Sequence, residues 1–95
     1  MSQARYAKRI DANQQALTKA LRTVPGVSVW PVNDRCDLIV GYRGVNYLLE
    51  VKDPSKPPSA RKLTDAEVKF HEGWQGQIAV VETFDDCLEV IGISP

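Results

Sequence analysis

Ninety-five residues, 43% apolar and 25% charged, make one small domain with a single modest core, and they exclude both a disordered chain and two independent cores. No apolar run approaches the roughly 18 residues of a membrane span. The formal net charge is zero, yet residues 1–22 carry five Lys/Arg against one acid and residues 64–95 carry seven Asp/Glu against one Lys. That asymmetry suits either a polyanion-facing side or solvated faces that interleave on folding.

The opening MSQARYAKRI is charged with no apolar stretch behind it, which predicts no secretory signal and a cytoplasmic protein. Cys36 and Cys87 then read as reduced, half-buried thiols. Ser2 to Thr23 reads as an amphipathic helix, with Ala7, Ile10, Leu17, Leu21 and Val24 along one stripe that Gln14 interrupts. Pro25-Gly26 ends it. Val27 to Val32 is a short strand, and Pro31 places it at an edge. Asp37–Tyr42 and Val45–Val51 are the strands of a hairpin about Arg43-Gly44. Residues 53–62, DPSKPPSARK, hold three prolines and read as an exposed loop with no regular element. Leu63 to Trp74 returns to helical spacing, with Phe70 and Trp74 expected in the core, and Thr64 and Glu67 form a capping-box pair. Gln77 to Glu82 is a strand, and Thr83 or Asp85 caps a last helix from Asp85 to about Ile91. The fold class is α/β, in the order α-β-β-β-α-β-α. It implies one domain over residues 1–95, with a mixed sheet, an antiparallel hairpin, a right-handed βαβ crossover and flanking helices.

The hairpin carries a register. With Arg43 and Gly44 as the turn, 42 faces 45, 40 faces 47, 38 faces 49 and 37 faces 50. Asp37 and Glu50 are then opposed, with Cβ atoms roughly 4.5–5.5 Å apart. Lys52, two residues on, points the same way. Ile39 and Leu48 share that face, while Leu38, Val40, Tyr47, Leu49 and Val51 take the other, so the sheet is expected to be covered on both sides. Arg suits the positive φ of a type I′ turn poorly, and a longer loop would slip the pairing. Two opposed carboxylates cost up to about 1 kcal/mol. A hard divalent cation, Mg²⁺ or Mn²⁺, would relieve that cost. The alternative is ordinary charges at strand ends.

The segment DLIVGYRGVNYLLEVK (37–52) resembles the core of the PD-(D/E)xK nuclease superfamily, and more closely its small VRR-NUC-like members common in phages and prophages. Asp37, followed after a twelve-residue gap by Glu50-Val51-Lys52, carries the likeness. RIDANQQ (9–15) and KLTDAEVKFHEGWQGQIAVV (62–81) extend it over about residues 9–91. The resemblance implies a bacterial host cell and a magnesium- or manganese-dependent endonuclease hydrolysing DNA, with structured or branched DNA as substrate. Asp37 and Glu50 would bind the metal with the Val51 backbone carbonyl, and Lys52 would sit beside the attacking water. The superfamily often adds an acid from its first helix, where Gln14 stands here. Its relatives often carry a Gln on the helix after the loop, and the equivalent here is Glu67.

Several neighbours keep two readings. Glu67 is an active-site acid or the capping partner of Thr64. Gln14 is a neighbour of the metal or a hydrogen-bonded core group. His71, the only histidine, is read as a helix-flank residue. Arg43, Lys56, Arg61 and Lys62 are loop bases suited to phosphate contacts or to solvation alone. A Pro-bearing edge strand also suits a homodimer, since cutting two strands symmetrically needs two sites. Against the nuclease stands a catalytically degenerate nuclease-fold protein that binds nucleic acid or serves in assembly, for which Gln14 in place of an acid speaks. A small phage or host interaction module is the third reading.

Overall fold

The computed structural model describes residues 11–94. Along them run α1 (Ala12–Leu21), β1 (Val27–Pro31), β2 (Leu38–Tyr42), β3 (Val45–Val51), α2 (Pro58–Arg61), α3 (Asp65–Gly73), β4 (Gln77–Val81) and α4 (Phe84–Ile91). The protein is therefore mixed α/β, as its patterning predicts. The first part of the expected N-terminal helix, with Ala7 and Ile10, lies outside the described residues.

Chemistry at the hairpin turn fixes the sheet. Arg43 (φ 52°) and Gly44 (φ 80°) both take the left-handed backbone of a type I′ turn. Tyr42 therefore faces Val45, Val40 faces Tyr47 and Leu38 faces Leu49, which is the expected register. Strand order is β1-β2-β3-β4. β1 pairs antiparallel with β2 and is an edge, as Pro31 requires. β4 pairs parallel with β3, with Val51 opposite Val81. Leu38, Val40, Leu49, Val51 and Val81 form one face and pack under Leu17 and Leu21 of α1 and Cys87 and Ile91 of α4. Burial of each such aliphatic contributes about 1.5–3 kcal/mol.

Both later helices start on a capping box. The Thr64 hydroxyl accepts from the Glu67 N–H while the Glu67 side chain accepts from the Thr64 N–H. Thr83 and Asp86 repeat the arrangement, so α4 starts at Phe84 and Asp85 lies inside its first turn. Among the described residues, no helix is long and apolar enough to cross a membrane.

Three expectations need correction. Residues 53–62 contain a regular element, the single turn α2. Pro58 opens it with a preset φ after the extended Pro57, so the prolines that signal a loop also start a helix. The sheet's second face is not fully covered. Trp30, Ile39, Leu48 and Ile78 form a row across all four strands there, Leu48 is buried, and Trp30 is 72% exposed. Phe70 and Trp74 are not core residues. Their rings pack on each other with centroids 5.4 Å apart, and Trp74 stays 43% exposed over Gly76, where a Cβ would come 3.0 Å from the indole Nε1. α3 buries no residue, so its apolar stripe satisfies itself and only partly shields the sheet.

Candidate functional site

The site lies at the open end of the β2–β3 hairpin. Asp37 precedes β2 by one residue but remains tied to β3. Its N–H donates to the Leu49 carbonyl at 3.0 Å, and its Oδ2 accepts from the Val51 N–H at 2.8 Å. Glu50 lies beside it, close enough for a hydrogen bond between the two carboxyl groups. Each residue is only 3% exposed. Lys52 Nζ lies 3.6 Å from Glu50 Oε2 and 3.0 Å from Glu67 Oε1. The structure thus brings Asp37, Glu50, Lys52 and Glu67 to one cleft of about 280 Å³, which Val51 also lines.

Burial and like charge shape the electrostatics. Desolvation, then the charges of Asp37 and Glu67, raise Glu50 from 4.5 to about 8, against the opposing pull of Lys52. Burial and like charge thus favour the protonated form of Glu50 near neutral pH. Burial also pushes Glu67 upward, but the Thr64 N–H and the Lys52 ammonium outweigh it and leave Glu67 below the ordinary value. A single oxygen, Glu67 Oε1, accepts both from the Thr64 N–H at 2.9 Å and from Lys52 at 3.0 Å. The two readings of Glu67 are thus both realised geometrically, as helix cap and as cleft acid.

Gln14 is 4% exposed and lines the cleft. Its Nε2 donates to Asn33 Oδ1 at 2.6 Å and to the Asp37 carbonyl at 3.5 Å, so it braces the main chain of Asp37. The loop bases divide. Lys56 lines the cleft. Arg61 pairs with Glu82 at 3.6 Å, and Lys62 is exposed outside the cleft lining. Arg43 lies apart from the cleft. The register puts it at the opposite end of the hairpin, roughly 20 Å from Glu50 by strand rise. There its guanidinium lies 5.1 Å from the centre of the Tyr42 ring. His71 sits edge-on to Phe70, away from the cleft lining.

Three residues of the site escape sequence reasoning. Asp11 occupies the N-cap position of α1 with no side-chain cap bond, and it lines the cleft as an exposed acid. The sequence offered no signal for it, because the helical pattern from Ser2 to Thr23 runs through Asp11, which lies off the apolar stripe. Asp53 also lines the cleft, its carboxylate held and its pKa lowered by the Ser55 hydroxyl and N–H. Asn13 donates to the Lys52 carbonyl at 2.8 Å and the Glu82 carbonyl at 3.0 Å, tying α1 to the ends of β3 and β4.

Among the described residues, no group of three or more His, Cys, Asp or Glu side chains is arranged to hold a metal ion. The carboxylate donors that converge are the pair Asp37 and Glu50. Their hard oxygens suit Mg²⁺ or Mn²⁺, and the repulsion that keeps Glu50 protonated is the kind a cation would relieve. Compared with protein-family models, curated proteins and solved structures, the chain matches none.

Proposed function

We propose that the protein is a Mg²⁺- or Mn²⁺-dependent endonuclease that hydrolyses DNA phosphodiester bonds, with structured or branched DNA as its substrate. The observation that carries this reading is the buried Asp37–Glu50 pair with Lys52 3.6 Å from Glu50, open to a cleft. Two carboxylates buried side by side are costly unless a proton or a cation joins them. Asp37, Glu50 and the Val51 carbonyl would hold the ion. When bound, it would neutralise charge on the phosphate and acidify a water.

The chain's own residues do the rest. The oxygen of water adds to phosphorus as the bond to the leaving sugar oxygen breaks. The water proton passes to solvent, and the leaving oxygen gains one. Lys52 holds positive charge where negative charge develops on the phosphoryl oxygens. Glu67 holds the Lys52 ammonium, the Val51 N–H holds the Asp37 carboxylate, and Gln14 reaches the Asp37 carbonyl. The degenerate binding protein remains the second reading, favoured by the self-satisfied cluster in which Glu50 keeps a proton and Lys52 is paired with Glu67.

The test joins metal binding to cleavage. At pH 7, Mg²⁺ or Mn²⁺ should raise the melting temperature, release about one proton from Glu50, and support cutting of a branched DNA. Asp37→Asn should lose all three responses. A parent protein that binds the DNA but shows neither proton release nor cleavage with either ion would leave the degenerate reading in place.

A further inference from the structure

The cleft does not end at Gln14. A second cavity, of about 340 Å³, opens on the other side of that residue, between α1 and Pro31 of β1. Gln14 lines both cavities, so they meet along one helix. Their chemistry differs: the second cavity exposes mostly apolar surface and has two cations at it. The first is dominated by carboxylates. The second is lined by Gln15, Thr18, Lys19 and Arg22 and contains no acid.

The lining follows from helix geometry. Positions 14, 18 and 22 recur every four residues, as do 15 and 19, so together they form one face of α1 beside the buried Leu17 and Leu21. Arg22 Nη2 donates to the Val29 carbonyl at 3.5 Å, which aims the guanidinium along β1 and leaves further N–H groups for a ligand. Neither Lys19 nor Arg22 forms an ion pair among the described residues.

We propose that this face of α1 carries the DNA strand that enters or leaves the cleft, with Lys19 and Arg22 as its phosphate contacts. The proposal rests on the nuclease reading of the adjoining cleft and sets Lys19 and Arg22 beside it, where Arg43 lies at the far end of the hairpin. The spacing suits a strand. Lys19 and Arg22 lie about 7.5 and 12 Å along the helix from Gln14. Phosphates advance about 3.4 Å per nucleotide along each strand, which puts these contacts about two to four nucleotides beyond the point where the strand passes Gln14. A polyanion must be drawn past an acidic cleft, and cations beside the cleft supply that attraction without neutralising the carboxylates within it. Gln15, on the Gln14 side of Lys19, adds a neutral hydrogen-bonding group.

The test is Lys19→Gln with Arg22→Gln, compared with Arg43→Gln at the far end of the hairpin. Binding of fluorescently labelled single-stranded and branched oligonucleotides is measured in Ca²⁺ across a salt series, with melting temperature as the fold control. The double variant should bind at least about fivefold more weakly at 100 mM salt, and its log K against log salt slope should fall by about two. Arg43→Gln should match the parent. Equal affinity and slope in the double variant overturn the proposal even where the parent cuts DNA. If the parent binds DNA through Lys19 and Arg22 yet never cuts, the track stands and the nuclease reading falls. If the parent does not bind DNA at all, or if a single variant that melts like the parent abolishes binding at Arg43, the track fails.

Discussion

The two ends of the β2–β3 hairpin follow the same alternation of side chains and bury different things. At the turn, Arg43 and Gly44 face water on a left-handed backbone, with the Arg43 guanidinium near the Tyr42 ring. At the open end, Asp37 and Glu50 are as buried as the leucines beside them. A strand end buries charge only where neighbouring elements close over it. Here Gln14 and Asn13 of α1, and Glu67 of α3, supply that closure. The turn end is thus a local solution set by two residues, whereas the open end depends on groups far apart in sequence.

The sharpest way to break this contrast is at Lys52. On the nuclease reading, Lys52→Ala should lower cleavage about 10²–10³-fold while leaving DNA affinity close to that of the parent, and it should lower the melting temperature because Glu67 loses its partner. Single-turnover cleavage with saturating enzyme measures it, and undiminished turnover would remove Lys52 from the chemistry.

Next in size is a pH effect confined to the open end. Below about 4.5 Glu50 holds its proton in both folded and unfolded chains. Between 4.5 and about 8 only the folded chain keeps it. The folded state then binds more protons, so metal-free stability should fall as pH rises through that window, by a few kcal/mol, and level off above it. Glu67, lowered, acts oppositely and only in acid, where its contribution is lost as pH falls. Urea unfolding in EDTA at pH 5 and pH 8.5 should show the decline in the parent and a much flatter response in Glu50→Gln. An equal decline in both would place the titration elsewhere.

The smallest effect belongs to the turn. Arg43→Asn suits φ of 52° better than arginine and should stabilise the fold by up to about 1 kcal/mol without changing cleavage. Thermal denaturation and the cleavage rate check both halves, and a loss of cleavage would mean the two ends are not independent.

Much of the fold was legible because it rests on short-range rules. The two β-rich runs from 38 to 51 about a two-residue turn fixed the pairing, and Thr64 with Glu67 marked a helix start. Asp37, Glu50 and Lys52 came together for the same reason, since the register alone places them. The same register places Arg43 at the other end of the hairpin from these three. The long-range closure was not legible. Nothing local says that the Asn13 amide reaches carbonyls at 52 and 82, or that Asp11 leaves its helix uncapped and borders the cleft. Nor does apolar periodicity tell whether Phe70 and Trp74 meet the sheet or each other.

One oxygen, Glu67 Oε1, receives both the first backbone N–H of the crossover helix and the ammonium of Lys52. Contacts that share an acceptor are thermodynamically linked, and linkage is reciprocal. A phosphate that draws Lys52 away from Glu67 alters the hold on the start of α3, and a ligand that steadies α3 alters the availability of Lys52 by the same factor. The helix is thereby a gauge of the lysine's occupancy, readable from outside the cleft in the hydrogen exchange of its first turn.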